Sequence, residues 1–271
     1  MQIFVDHFYD KGHGHEVCQD YALSTQNKDY AFFVVSDGCG SAPNSEIGSI
    51  IMANALKSSV ETLWYREKPM DITKRGSVQK IAITKANEAA RALELNPESL
   101  YATLLLGFYD KQTKEFAMAA WGDGAFAILY DDGHCDIHSI GYEGNAPFYM
   151  MYADGGMESY IQNCGGSANV HFVELRREGH FEGYAHRYIK SPSVIKISPR
   201  KGKKIKGIFG FSDGIESCGK MSHLDVVSKC LDLKNINGTF IRRRGKRILK
   251  QFEQEGYSPY DDFSFAGIII K

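Results

Sequence analysis

Apolar residues recur along this chain in two rhythms. Short runs of continuous or alternating hydrophobics, bounded by turn residues, predict strands at 2–7, 30–36, 101–109, 115–121, 125–130, 194–197, 206–212 and 263–270. Helical spacing predicts helices over 45–64, 77–95, 222–233 and 238–254. These helices form two consecutive pairs, one between the strands near 36 and 101, the other between those near 212 and 263. A doubly wound parallel sheet would alternate strand and helix, and this chain does not. The expected class is therefore α+β, a sandwich of antiparallel sheets with helix pairs packed outside. Residues 141–192 keep neither rhythm. They are rich in Gly, Tyr, His and Asn, carry the breakers Asp154-Gly155-Gly156 and Asn163-Cys164-Gly165-Gly166, and read as an irregular lid or flap within one domain spanning 1–271.

Composition narrows the function classes. The chain has 271 residues, 43% hydrophobic and 24% charged, as expected of an ordinary soluble protein. Its 32 basic and 33 acidic residues leave a formal charge of −1, so no whole-chain field draws it to nucleic acid or to a membrane. Arg242-Arg243-Arg244 with Lys246-Arg247 falls on a predicted helix and reads as a solvated face. The opening residues lack the basic flank and apolar stretch of a signal peptide, and the expected location is the cytoplasm. Six dispersed cysteines with no Cys-x-x-Cys pair argue against a zinc knuckle or a disulfide framework. Cys39 reads as a plain thiol rather than a nucleophile, because no His or Asn signature accompanies it.

Candidate chemistry lies in five acidic positions, each at a turn or beside an apolar run: Asp20, Asp37, Asp123, Asp213 and Asp261. Asp37-Gly38 and Asp213-Gly214 each follow an apolar strand. Gly122-Asp123-Gly124 is flanked by strand-like residues on both sides and reads as a tight hairpin. Hard divalent cations take several oxygen ligands, and carboxylates gathered from the ends of different strands supply them, with a peptide carbonyl such as that of Gly38 adding another. Taken singly, each Asp-Gly is only a turn signal.

Taken in order, the series Gln19-Asp20, Asp37-Gly38-Cys39-Gly40, Ala102-Thr103-Leu104, Gly122-Asp123-Gly124, Ser212-Asp213-Gly214 and Asp261-Asp262 resembles the metal-dependent protein phosphatases of type 2C, the PPM family, in a bacterial-type divergent form. The resemblance covers about residue 10 to residue 270. It implies a two-sheet sandwich with outer helix pairs and a centre of two Mn²⁺ or Mg²⁺ ions that activates water for attack on a phosphoryl group. By the same resemblance Asp37 bridges the two ions, the Gly38 carbonyl binds one, Asp213 and Asp261 bind the other, and Asp20 acts through a water. Asp123 with Asp213 holds a third, weaker ion, and Asp262 is interchangeable with Asp261. The implied substrate is phosphoserine or phosphothreonine in a target of a serine/threonine kinase, acted on by a monomer.

The chain departs from the family pattern in places. Where many members carry a phosphate-binding arginine before the first acidic element, it offers His13 and His15. His15 is the candidate phosphate contact, with Arg187 or Lys190 as substitutes. Cys39 stands where eukaryotic members have a histidine, Gly124 replaces a serine, and 141–192 does not resemble the usual flap. Two alternatives follow. One is a pseudophosphatase that binds phosphoproteins as a regulator. The other is a small-molecule phosphoesterase, which the lack of a Gly-x-x-x-x-Gly-Lys loop disfavours for nucleotides.

Overall fold

The computed structural model describes residues 2–66, 77–153, 157–163, 169–176, 183–188, 195–197 and 202–271. The strands are β1 (Ile3–Asp10), β2 (Asp20–Gln26), β3 (Tyr30–Asp37), β4 (Leu104–Asp110), β5 (Glu115–Trp121), β6 (Gly124–Tyr130), β7 (Cys135–Tyr142), β8 (Asn169–Arg176), β9 (Gly183–Tyr188), β10 (Ile195–Ile197), β11 (Ile205–Phe211) and β12 (Phe263–Ile270). The helices are α1 (Ser45–Arg66), α2 (Ser77–Ala92), α3 (Met157–Asn163), α4 (His223–Leu231) and α5 (Phe240–Glu255). One sheet has the order β1-β12-β11-β6-β7-β8-β9 and the other β10-β5-β4-β3-β2, with every pairing antiparallel. This is the expected α+β sandwich, with α1 and α2 between β3 and β4, and α4 and α5 between β11 and β12.

The central strands are apolar at every position because both faces are covered. On β3, Phe33 and Val35 point between the sheets, where they meet Leu105, Phe126, Ile128, Ile208 and Ile268. Phe32 and Val34 point the other way and pack with Met52, Leu56, Trp64 and Ile83 of α1 and α2. The second sheet repeats this logic. Phe209, Phe211, Phe263 and Phe265 face Val226, Ile248 and Phe252 of α4 and α5. Buried apolar area on three levels, one between the sheets and one under each helix pair, sets the strand ends at a common rim.

Three expectations change. Gly122-Asp123-Gly124 is not a hairpin: β5 and β6 lie in different sheets, and the turn carries the chain from one to the other. Gly122 at φ 95° and Gly124 at φ 122° supply a left-handed path that few other residues adopt, and a side chain on Gly124 would collide with the Phe211 carbonyl. Strands β2 and β7 were not anticipated, and the stretch 141–192, read as irregular loop with some local structure, contributes β8 and β9, which extend the larger sheet. The segment 101–103 is not strand. It makes single contacts to the turn after β3, including an isolated bridge between Gly38 and Ala102.

Candidate metal centre

The turns at one end of the sandwich bring the separated aspartates together. Asp20 opens β2 directly opposite Asp37, which closes β3. Asp213 follows β11 in a single 3-10 turn, Asp123 sits in the crossover between the sheets, and Asp261 precedes β12. Asp213, Asp20, Asp123 and Asp261 all act electrostatically on the buried Asp37 carboxyl. Five stretches from across the chain therefore meet in one acidic cluster.

Local structure holds each acid in place. The Asp37 amide donates to the Thr103 hydroxyl at 3.1 Å, and the Thr103 amide returns a bond to the Asp37 carbonyl at 2.8 Å. The Gly38 amide is taken by the Gln19 carbonyl, and among the described residues no backbone amide donates to the Gly38 carbonyl. A side chain at Gly38 would collide with the Ser45 carbonyl at the start of α1, which explains why this turn needs glycine. Asp20 is buried and accepts the Ser212 hydroxyl at 2.7 Å. Asp261 is fixed through its amide, which donates to the Ser217 hydroxyl at 3.1 Å.

Asp262 is placed differently from Asp261. Its side chain is 1% exposed, and its two oxygens accept the Gly12 amide at 2.8 Å and the Gln19 amide at 2.6 Å. It pins the 12–19 loop to the start of β12. His15 Nδ1 lies 3.0 Å from Asp262 and 3.5 Å from Asp261, so this histidine faces two acids. Among the described residues, His15, Asp261 and Asp262 are the one group of three or more metal-ligating side chains whose donor atoms all lie within 4.8 Å of one another. His13 donates to or accepts from nothing at the cluster; its ring contacts the Pro259 carbonyl and the edge of Tyr260. Arg187 lies on β9 with its side chain outside the described residues, and Lys190 lies outside them altogether.

The electrostatics fit a cation site. Burial and then Asp213 push the Asp37 carboxyl well above the usual range. Burial raises Asp20 to about 7 and Asp123 to about 8, and burial with Asp261 raises Asp213 to about 6. The contacts that offset these shifts include the Ser212 hydroxyl on Asp20 and backbone amides, and none of them is cationic among the described residues. Carboxylates crowded in this way are poorly neutralised by protein alone, and an all-oxygen donor set with an open peptide carbonyl suits Mg²⁺ or Mn²⁺.

Residues of the 141–160 stretch border the centre. Phe148, Tyr149, Tyr152 and Tyr160 form a small core that packs on Cys39 and Tyr101, with Tyr101 stacked on Tyr149 at 5.8 Å. Sequence reasoning passed over these aromatics, as it did the hydroxyls of Ser212, Ser217 and Ser264. The one available signal was the density of tyrosines after residue 141.

This arrangement defines a class: a metal-dependent sandwich hydrolase with its carboxylates at the rim of two sheets. A sequence model of the family described as Protein phosphatase 2C matches residues 11–258, and the chain belongs to that family. No curated protein matches it. Among solved structures it is similar to the serine/threonine phosphatase Stp1 of Staphylococcus aureus, with TM-score 0.56 and 14% identity, covering 100% of this chain and 96% of that one. It is also similar to the S. agalactiae serine/threonine phosphatase, with TM-score 0.54, 14% identity and 100% of both chains covered. A third is the PstP/Ppp phosphatase of Mycobacterium tuberculosis, with TM-score 0.52, 15% identity and 99% of both chains covered. At these identities the likeness establishes the fold.

Proposed function

We propose that this chain hydrolyses phosphoserine and phosphothreonine in proteins, using two Mn²⁺ or Mg²⁺ ions with a third held more weakly. The observation that carries this reading is the meeting of Asp20, Asp37, Asp123 and Asp213, with carboxyl pKa values raised by burial and by one another. Bound ions supply an activated water and neutralise charge on the phosphoryl group. Asp37, the Gly38 carbonyl, Asp213 and Asp261 would hold the ions. Asp262 is spent on the Gly12 and Gln19 amides, so the ligand of the terminal pair is Asp261. Asp20, held by Ser212, would orient a metal-bound water, and Asp123 with Asp213 would hold the third ion.

His15, on the 12–19 loop, is the candidate phosphate contact. Its Nδ1 faces Asp261 and Asp262, and Asp262 leads the interactions that raise its pKa against the lowering effect of burial. The pairing favours the protonated ring, the form in which a histidine can meet an anion. The same pairing also favours a second reading, a pseudophosphatase, because a histidine committed to two acids is a weaker phosphate clamp than an arginine. The protein acts as a cytoplasmic monomer in this account. Among the described residues no helix is long and apolar enough to cross a membrane. Release of phosphate from a phosphothreonine peptide and from an aryl phosphate with Mn²⁺ or Mg²⁺ tests the proposal. Absence of metal-dependent turnover with retained phosphopeptide binding selects the second reading.

A further inference from the structure

Helix α5 carries charge that its own stability does not call for. Phe240, Ile241, Gly245, Ile248 and Phe252 are buried against the larger sheet. Arg242, Arg243, Lys246, Arg247 and Lys250 are exposed on the opposite side. At 100° per residue these five fall on an arc of roughly 140° and span roughly 12 Å of helix axis. Arg243 is tied to the Asn235 and Asn237 carbonyls. Among the described residues the ion pairs of α5 are Arg244 with Asp232 and Glu255 with Lys229, so Arg242, Lys246, Arg247 and Lys250 have no acidic partner.

The order of charges along α5 also opposes the helix dipole. No acid lies in its first turn and no base in its last. Arg242 and Arg243 crowd the positive end, and Glu253 and Glu255 crowd the negative end, the reverse of the stabilising arrangement. The Asp6 carboxylate, which accepts the Arg242 amide at 3.0 Å, is the acid that meets this end. In a chain of net charge −1, a stripe of cations without acidic partners among the described residues, one of them at the positive end of the helix dipole, is not explained by folding or by bulk charge.

We infer that the α5 stripe of Arg242, Lys246, Arg247 and Lys250 is a docking surface for an acidic, Asp/Glu-rich segment of a partner protein. Arginine forks and lysine ammoniums at this spacing match carboxylates along an extended chain. A membrane fits less well, since none of the exposed large hydrophobics lies on α5 and insertion would lack an apolar footing. Nucleic acid fits less well, since four free cations in a neutral chain are fewer than duplex binders ordinarily commit.

Fluorescence anisotropy of a labelled glutamate-rich peptide with the full chain tests this directly and needs no catalytic activity. The expected result is binding that weakens as salt rises and falls roughly tenfold in the R242Q/K246Q/R247Q/K250Q variant. K246R/K250R keeps it. The quadruple variant melts at the parent temperature or above, because the cations it removes have no acidic partner among the described residues and one of them, Arg242, opposes the dipole. The inference is overturned if the parent binds the peptide no better than a glutamine-rich control, or if the quadruple variant binds it equally. It is also overturned if a DNA duplex or phosphatidylserine vesicles bind through the stripe more tightly than the peptide does.

Discussion

The Ser212 hydroxyl donates to Asp20 at 2.7 Å while accepting the Ser264 amide at 3.0 Å. Through that one oxygen the smaller sheet, which Asp20 begins at β2, is joined to β11 and β12 of the larger sheet at the rim where the acids meet. The contact is buried, and its partners have no water to replace it.

Ser212→Ala should therefore cost about 1–3 kcal/mol of stability by stranding the Ser264 amide and the Asp20 carboxylate. It should also weaken the response to Mn²⁺, because Asp20 loses the bond that orients it. Chemical denaturation with and without Mn²⁺ measures both. An effect on stability alone separates a structural clamp from a positioning role.

Asp37→Asn should stabilise the metal-free protein while abolishing metal-dependent turnover. Asp20, Asp37, Asp123 and Asp213 all have folded pKa values raised above the unfolded carboxylate value, so the folded state binds more protons between about pH 4 and about pH 8. Their mutual repulsion is absent below that window and grows as pH rises through it. In chelator, the melting temperature of Asp37→Asn minus that of the parent should increase from about pH 4 to about pH 8, as differential scanning fluorimetry would show. A difference that is flat with pH would mean the acids are not coupled.

The terminal pair should separate into two phenotypes. Asp262→Ala strands the Gly12 and Gln19 amides and should cost about 2–5 kcal/mol, from two charge-assisted bonds. Asp261→Asn should leave the fold near the parent stability and lower Mn²⁺ affinity, read by calorimetry. The opposite pattern would exchange their roles.

His15→Gln has a pH signature. Burial lowers the His15 pKa, but Asp262 and Asp261 raise it further, and the folded value ends above the usual 6.5. The pairing therefore stabilises fully below about pH 6.5 and is lost as pH rises through the folded value. The melting-temperature loss in His15→Gln should be present at about pH 6 and shrink as pH rises above the usual histidine range. With substrate, the same variant should raise KM more than it lowers kcat.

Much of the architecture could be read from spacing. The helix pairs were legible because their apolar positions repeat at helical period, and β3, β4, β11 and β12 because burial on both faces leaves them apolar throughout. Strand β2 was not, since Ser24, Thr25 and Gln26 dilute its pattern. Strands β7 to β9 were hidden by the glycines, histidines and charges they contain. The Gly122-Asp123-Gly124 turn was misread because local residues specify a reversal but not which sheet the next strand joins. The acids were visible as turn residues, yet the distinction between Asp261 and Asp262 depends on amides from residues 12 and 19, which only the closed sandwich brings to them. Charge on α5 was visible too, and only the helix packing shows that, among the described residues, the side chains of Arg242, Lys246, Arg247 and Lys250 have no acidic partner.

The measurement that bears most directly on the central claim is phosphate release from a phosphothreonine peptide as Mn²⁺ is titrated, with parent and Asp37→Asn run side by side. The account predicts saturable, metal-dependent turnover in the parent and a loss of about two orders of magnitude or more in Asp37→Asn at every Mn²⁺ concentration. Turnover independent of Mn²⁺, or unchanged by Asp37→Asn, would contradict it.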